Sequence, residues 1–432
     1  MKNNPKNEFI GTLSQRELLK LYKKHVNAYK VMMFKGFGFG VIPGERHGIR
    51  FKTLEGQKSG DPPLEIINCR SSGGVFNLGH HNEIIVETLK KALDAGLDLG
   101  DHMLLSEWRA KLGKKLADLL PGNISKMTFG VSGGEAIDTA IKFSFAYTKK
   151  CGCISAIGGY HGHTGFALAT GDPHFKTFCM WEPPGFKQVP FGDADALRKV
   201  VDDNTACVIF ETIPATGGVL IAPEGYFAEV REICDDNGIM MIIDEVQAGL
   251  GRTGEFWGIY GGLYPNEKII PDFIVLGKGM SAGIYPLSAC CYKPFIERAV
   301  YGEDAFIHIS TTGGSDLACV IAHKMLEIQS DPKFLNHVKK MGKIFGEGLL
   351  KIAEENQELI KEARGRGLMW GVEFQKEADA LRAMVSCIKE GILLNYCGNK
   401  EDTLIIMPPL IVKENEIEEI ISKISTAIKN IK

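Results

Sequence analysis

Two residues placed to do chemistry lie 34 positions apart in the middle of the chain, Asp244 and Lys278. Each closes a short apolar run. Met240-Met241-Ile242-Ile243 leads into Asp244-Glu245-Val246-Gln247, and Phe273-Ile274-Val275-Leu276 leads through Gly277 to Lys278. Such runs, bounded by Gly and Pro, read as buried strands of a parallel sheet. Ligands of open α/β sheets sit just beyond the carboxyl ends of the strands, so an acid and a lysine at two such ends can face one ligand. The pair suits pyridoxal phosphate, which needs a lysine for the Schiff base and an acid to keep the ring nitrogen protonated. Taken alone, the two charges could equally cap strands at the surface.

The local spelling decides between them. Asp-Glu-Val-Gln-Ala-Gly-Leu-Gly-Arg-Thr-Gly (244–254) followed by Leu-Gly-Lys-Gly-Met (276–280) resembles the class III aminotransferases of the fold type I pyridoxal phosphate enzymes, and the resemblance continues through most of the chain. It implies an α/β fold: a large domain on a mostly parallel seven-stranded sheet and a smaller α+β domain. The expected division is residues 1–75 as an N-terminal segment serving the small domain and dimer contacts, 76–330 as the large domain, and 331–432 as the small domain.

Other motifs supply the rest of a cofactor site. Met127–Val131 reads as a strand, Ser132-Gly133-Gly134 as a turn, and Ile137, Ala140, Ile141 and Ser144 as the buried face of a helix. A glycine turn at a helix N-terminus presents free amides and the positive end of the dipole to an anion. Its match to the family's Ser-Gly-X-Glu-Ala motif assigns Gly133 and Gly134, with Ser132, to the cofactor phosphate. By the same resemblance Tyr160, just before His161-Gly162, stacks on the ring, and Val246 packs on the opposite face. Gln247 meets the ring hydroxyl, Asp244 the ring nitrogen, and Thr311 the phosphate of the neighbouring subunit. His161 is read as structural. Gly249–Gly254 also spells GxGxxG, but the following Glu255-Phe256-Trp257-Gly258 begins no convincing helix, so a dinucleotide site is rejected.

One departure concerns the substrate. Many class III enzymes place a glutamate where this chain has Thr216, and an arginine three residues before Pro-Pro-Leu, where this chain has Ile405. That ion pair gates two substrates, and the arginine clamps a carboxylate. With both halves gone, the resemblance implies a redesigned pocket. The favoured activity is transfer of an amino group from a primary amine or ω-amino acid to an oxo acid. A lyase eliminating ammonia or phosphate, or a racemase, is the alternative, since neither needs a gate between substrates. A non-enzymatic protein that has lost the cofactor is disfavoured by the presence of both Lys278 and Asp244.

The elements that carry these residues have ordinary signatures. Ser14-Gln15-Arg16-Glu17 is a capping signal for a helix over 14–33, and Gly36–Gly40 is read as a loop. A helix is expected from about Glu83 to Leu93, and the last helix carries Ile417, Ile420, Ile421, Ile424 and Ile428 on one stripe. At 432 residues, 44% hydrophobic and 24% charged, the chain has the make-up of a soluble protein of two or more domains. A net charge of −3 argues against a nucleic-acid surface. No run approaches the ~20 apolar residues of a membrane span, and the first residues carry no signal-peptide core. Eleven scattered cysteines without a CxxC fit free thiols in a reducing cytoplasm, and Cys151-Gly152-Cys153 is too close for a usual zinc pair. A cytoplasmic homodimer with shared sites, no metal and no membrane or nucleic-acid partner is expected.

Overall fold

A computed structural model describes residues 9–36, 42–56, 61–179, 182–260 and 269–431. The loop expected around Phe37–Gly40 lies outside them. Seven strands form the central sheet, side by side in the order Lys126–Gly130, Ser288–Tyr292, Phe273–Leu276, Met240–Asp244, Thr205–Glu211, Gly152–Ala156 and Phe186–Val189. Ser288–Tyr292 runs antiparallel to both neighbours and the remaining pairings are parallel. The mostly parallel seven-stranded sheet expected from the sequence is therefore present.

Alternation along the strands sends side chains to two covered faces. Cys207, Ile209, Met240 and Ile242 pack with Ala136, Ile137, Ala140 and Phe143 of the helix Gly133–Thr148. Val208, Phe210, Met241 and Ile243 pack on the other face against Phe227, Val230 and Ile233 of the helix Tyr226–Asn237. Each fully buried Ile or Phe contributes about 1.5–3 kcal/mol through apolar burial. Helices on both faces leave the strand ends as the open place for a ligand.

Two smaller sheets lie beside this unit. One is the antiparallel sheet of Ile360–Arg366, Met369–Phe374, Lys400–Ile406 and Asn395–Cys397. The other joins both chain ends, because Ile392–Leu393 pairs in parallel with Glu65–Asn68, Ile392 opposite Ile67. Ile49, Ile67 and Cys69 accordingly share one core with Phe345, Val372 and the final helix Glu414–Lys429. Of that helix's isoleucine stripe, Ile417, Ile420, Ile424 and Ile428 are buried and Ile421 packs at the edge.

The single helix expected over 14–33 is two, Gln15–His25 and Ala28–Gly36. Ser14 and Glu17 do form the expected capping box. The break follows from Asn27, whose side-chain oxygen accepts from Lys30 N at 2.9 Å, starting a second helix in competition with the first.

Candidate active site

The strand ends bring the acid and the lysine together as their spacing required. Asp244 is the last residue of its strand and pairs in register with Glu211, the last residue of the next. Lys278 follows Phe273–Leu276 by two residues and begins a short 3-10 turn, with φ of 40°. A left-handed backbone is costly for a side-chain-bearing residue and recurs where function holds it in place. The Lys278 Nζ donates to Gln247 Oε1 at 2.8 Å, and Gln247 Nε2 reaches Met407 Sδ at 3.4 Å. Gly73, with φ of 68°, lies under this contact, and a side chain there would press to 3.0 Å from Lys278 Cε.

Asp244 is buried and held from two sides. Val246 N donates to its Oδ1 at 2.9 Å, and His161 Nδ1 lies 2.8 Å from its Oδ2. The opposite ring nitrogen, His161 Nε2, is buried without a partner among the described residues. Burial works against protonating His161, but the hydrogen bond and charge of Asp244 outweigh it and raise its pKa above the ordinary value. Burial lowers the pKa of Lys278, while Asp244 and Glu211 pull it back upward. Tyr160 follows the strand Gly152–Ala156, which lies beyond Thr205–Glu211 from the strand of Asp244, with its ring edge-on to His163 and Phe175.

Ser132 caps the helix Gly133–Thr148, accepting from Glu135 N at 3.2 Å, while Glu135 Oε2 accepts from Val131 N at 2.6 Å. The amides of Gly133 and Gly134 fall in the first turn, where a helix offers no acceptor. Val246 rests on Gly133, so that a Cβ there would come within 3.1 Å of Val246 Cγ1. The turn is therefore a close cradle beside Asp244, with amides and a helix dipole to offer a phosphate. Thr311 is exposed and is not among the residues around the Lys278 cavity.

A cavity of ≈ 350 Å³ opens above Lys278, lined among others by Tyr160, Thr216, Gln247, Tyr396 and Ile405. Both gate positions thus face it, and both are neutral. The GxGxxG segment, by contrast, is followed by no helix among the described residues up to Tyr260. Its Arg252 is fully buried and donates to the carbonyls of Leu368 and Pro408 and to Asn77 Oδ1, tying the loop to distant parts of the chain. Among the described residues no His, Cys, Asp and Glu cluster could hold a metal.

Sequence reasoning missed Glu211 and Asn399. Glu211 accepts from Tyr160 N at 3.0 Å, and burial, reinforced by Asp244, pushes it up to about 7 against the opposing pull of His161. Its signal was available: an acid closing an apolar strand in register with Asp244. Asn399 donates to Gly158 O at 2.7 Å and to Gly159 O at 3.4 Å, and its backbone N–H donates to Thr216 O at 3.0 Å, fastening the hairpin to the loop before Tyr160. No local pattern marks it.

Glu211 makes a pH prediction. A carboxyl raised in the folded state keeps its proton there while the unfolded chain ionises, so stability is fully present at low pH and falls as pH rises from about 4.5 to about 7. The expected loss for this group is on the order of 3 kcal/mol, at about 1.4 kcal/mol per pH unit. Glu211→Gln keeps the acceptor for Tyr160 N and removes the titration. Denaturant unfolding of the cofactor-free variant should show a shallower fall between pH 5 and 7, and an unchanged fall would refute the assignment.

The sequence profile described as Aminotransferase class-III matches residues 62–428. The chain belongs to this family. A protein of Archaeoglobus fulgidus described as an uncharacterized aminotransferase is 46% identical over 423 residues, 98% of this chain and 96% of its own. Among solved structures, a transaminase from the marine bacterium Virgibacillus superposes with a TM-score of 0.86 at 24% identity, covering 96% of this chain and 99% of its own. The ornithine aminotransferase of Toxoplasma gondii gives 0.84 at 22% identity over 97% and 96%. These likenesses show the fold, the mixed α/β architecture of fold type I. Class III aminotransferases are pyridoxal phosphate enzymes, and this chain is one of them. The residues present fit that cofactor: an amine at Lys278, a buried carboxylate at Asp244, and a glycine cradle at a helix N-terminus.

Proposed function

We propose that this class III aminotransferase moves an amino group from a primary amine or ω-amino acid to an oxo acid at Lys278. The observation that carries the reading is the placement of Lys278 and Asp244 at adjacent parallel strand ends, facing the glycine turn Ser132–Gly134. Asp244 would hold the ring nitrogen, the amides of Gly133 and Gly134 with the Ser132 hydroxyl the phosphate, and Gln247 the ring hydroxyl. Tyr160 and Val246 would enclose the ring. Pyridoxal phosphate supplies an electron sink for bonds at the carbon bearing the amine. Lys278 is the amine that carries the cofactor, and it moves the proton at the reacting carbon. Its burial lowers its pKa, which favours the neutral form a base requires. His161 does no proton chemistry in this reading; it orients Asp244 and keeps that carboxylate hydrogen-bonded.

Elimination of ammonia or phosphate, or racemisation, is the second reading. The neutral gate positions Thr216 and Ile405 favour it, because a reaction with a single organic substrate needs no alternation between two. One experiment separates them. Holoprotein is mixed with a panel of primary amines and ω-amino acids without oxo acid, and the cofactor spectrum is followed. Bleaching of the yellow band, reversed by a later oxo acid, supports transfer. A persistent band with release of ammonia or phosphate supports elimination and sinks the first reading.

The assembly proposed is a cytoplasmic homodimer, divided within each chain into residues 76–330 and a unit of 331–432 with the segment 1–75. Exposed Phe306, Ile307 and Ile309 beside Thr311 support burial of this edge against a second copy. Free, mostly buried thiols suit a reducing compartment. Among the described residues no helix is long and apolar enough to cross a membrane. Thr311→Ala should weaken cofactor binding about fivefold to tenfold, the worth of roughly one hydrogen bond, with the sedimentation coefficient of the dimer unchanged. Unaltered cofactor affinity by equilibrium dialysis would remove Thr311 from the site.

A further inference from the structure

The Lys278 cavity has an unusual charge balance. Its lining is Arg70, Ser72, Gly73, Tyr160, Ala215, Thr216, Gln247, Lys278 and the strand and turn residues 395–398, 405 and 407. Two cations face it and no acidic side chain does. Lys278 is already engaged, donating to Gln247. Arg70 is different. Arg70 is solvent-exposed where it lines the cavity, and among the described residues no carboxylate lies within ion-pair distance of its guanidinium.

The Arg70 backbone is firmly held. Asn68 Oδ1 accepts from Arg70 N at 3.2 Å and from Ser71 N at 2.9 Å, and Asn68 is itself bonded to His80. Arg70 O accepts from Gly73 N at 2.9 Å, and Ser71 Oγ donates to Met407 O at 2.7 Å. Between them Ser71 and Ser72 both adopt left-handed backbone, with φ of 46° and 48°. Two successive strained serines persist only where surrounding bonds over-determine the turn, and such turns cluster at ligand sites. This one fixes the base from which Arg70 reaches the cavity mouth.

We propose that Arg70 binds the substrate carboxylate, so that the substrates are amino acids and oxo acids rather than simple amines. The inference rests on the transfer reading above and narrows it. A guanidinium offers a planar fork that matches a carboxylate with two parallel charge-assisted bonds, which Lys or Gln cannot reproduce. Thr216 leaves no acid in the lining to neutralise Arg70 between half-reactions, so its positive charge faces every substrate that enters. Donor and acceptor then both carry a carboxylate. The position does not coincide with Ile405; Arg70 approaches from the N-terminal turn, a different wall of the same cavity.

The test compares wild-type holoenzyme with Arg70→Gln and Arg70→Lys. Each ω-amino acid of a short homologous series is paired with the n-alkylamine of equal length, and the bleaching of the cofactor band is timed. Arg70→Gln should lower kcat/KM for the carboxylated member about 10- to 100-fold, the range of a charge-assisted pair, mainly through KM, and change the amine by less than about threefold. Arg70→Lys should recover part of the loss. A second readout needs no turnover: calorimetric binding of glutarate to the cofactor-free protein should vanish in Arg70→Gln. Equal losses on both substrate members, or glutarate binding that survives the substitution, would overturn the proposal. A fall in cofactor affinity in Arg70→Gln would overturn it too, since Arg70 would then serve the phosphate. If wild type bleaches with no amine or amino acid, the transfer reading fails, and the glutarate measurement still decides Arg70.

Discussion

Replacing Lys278 with Ala is expected to abolish turnover while leaving the protein folded and its state of assembly unchanged. Among the described residues the side chain has one polar partner, the Gln247 amide oxygen, and its removal leaves that acceptor facing an open cavity where water can replace it. The stability cost is therefore expected to be small, and the strain of the positive φ at this position is neither relieved nor increased, because Ala retains a Cβ. Activity is another matter. In the proposed mechanism, loss of the amine removes both the covalent anchor of the cofactor and the acid/base at the reacting carbon, and the second role alone is worth about 10²–10⁴ in rate. The expected kcat is below detection, with unchanged far-ultraviolet circular dichroism and sedimentation. Cofactor should still associate through the glycine turn and Asp244, without the yellow band of the lysine-bound form. Full activity in this variant would overturn the assignment of the site and not merely of one residue.

The parts of this site legible in the sequence are those where local chemistry and strand periodicity coincide. Asp244 and Lys278 could be placed at strand ends because each closes a run of four buried apolar residues, Lys278 after Gly277, and the family spelling around them then pointed to a ligand there. Ser132–Gly134 was legible for the same reason, as a strand, a turn and a helix cap in succession. Arg70 and Asn399 were not. Arg70 follows a four-residue strand that pairs on one side with Arg50–Thr53 and on the other with Ile392–Leu393, more than 300 residues away, and nothing near it in sequence shows that it meets the Lys278 cavity. Asn399 acts across a hairpin on carbonyls of another unit, and an amide bonding to a carbonyl leaves no pattern in composition. The N-terminal helix failed differently: apolar spacing runs on through Val26, and the competing cap at Asn27 outweighs it. Long-range pairing and side-chain capping are the two kinds of information periodicity does not carry.

Asp244→Asn should cost about 10²–10³ in kcat, the range for removing one preorganised electrostatic partner of the reacting system. The substitution is close to isosteric and retains an oxygen for Val246 N, so the loop Glu245–Gln247 should stay in place. What changes is charge. A neutral amide no longer favours a protonated ring nitrogen, and the cofactor loses strength as an electron sink. The His161 side has a consequence of its own. Asp244 Oδ2 now accepts at 2.8 Å from His161 Nδ1, which carries the proton; an amide N–H at that place would require the unprotonated nitrogen there. The proton would then move to Nε2, which has no partner among the described residues, and the imidazole would lose the charge that raises its pKa. His161 should consequently titrate lower in Asp244→Asn than in wild type, a shift that NMR of the cofactor-free protein can follow. The two readouts separate the roles: an unchanged imidazole pKa would contradict the pairing, and an unchanged kcat would mean that Asp244 does not hold the ring nitrogen.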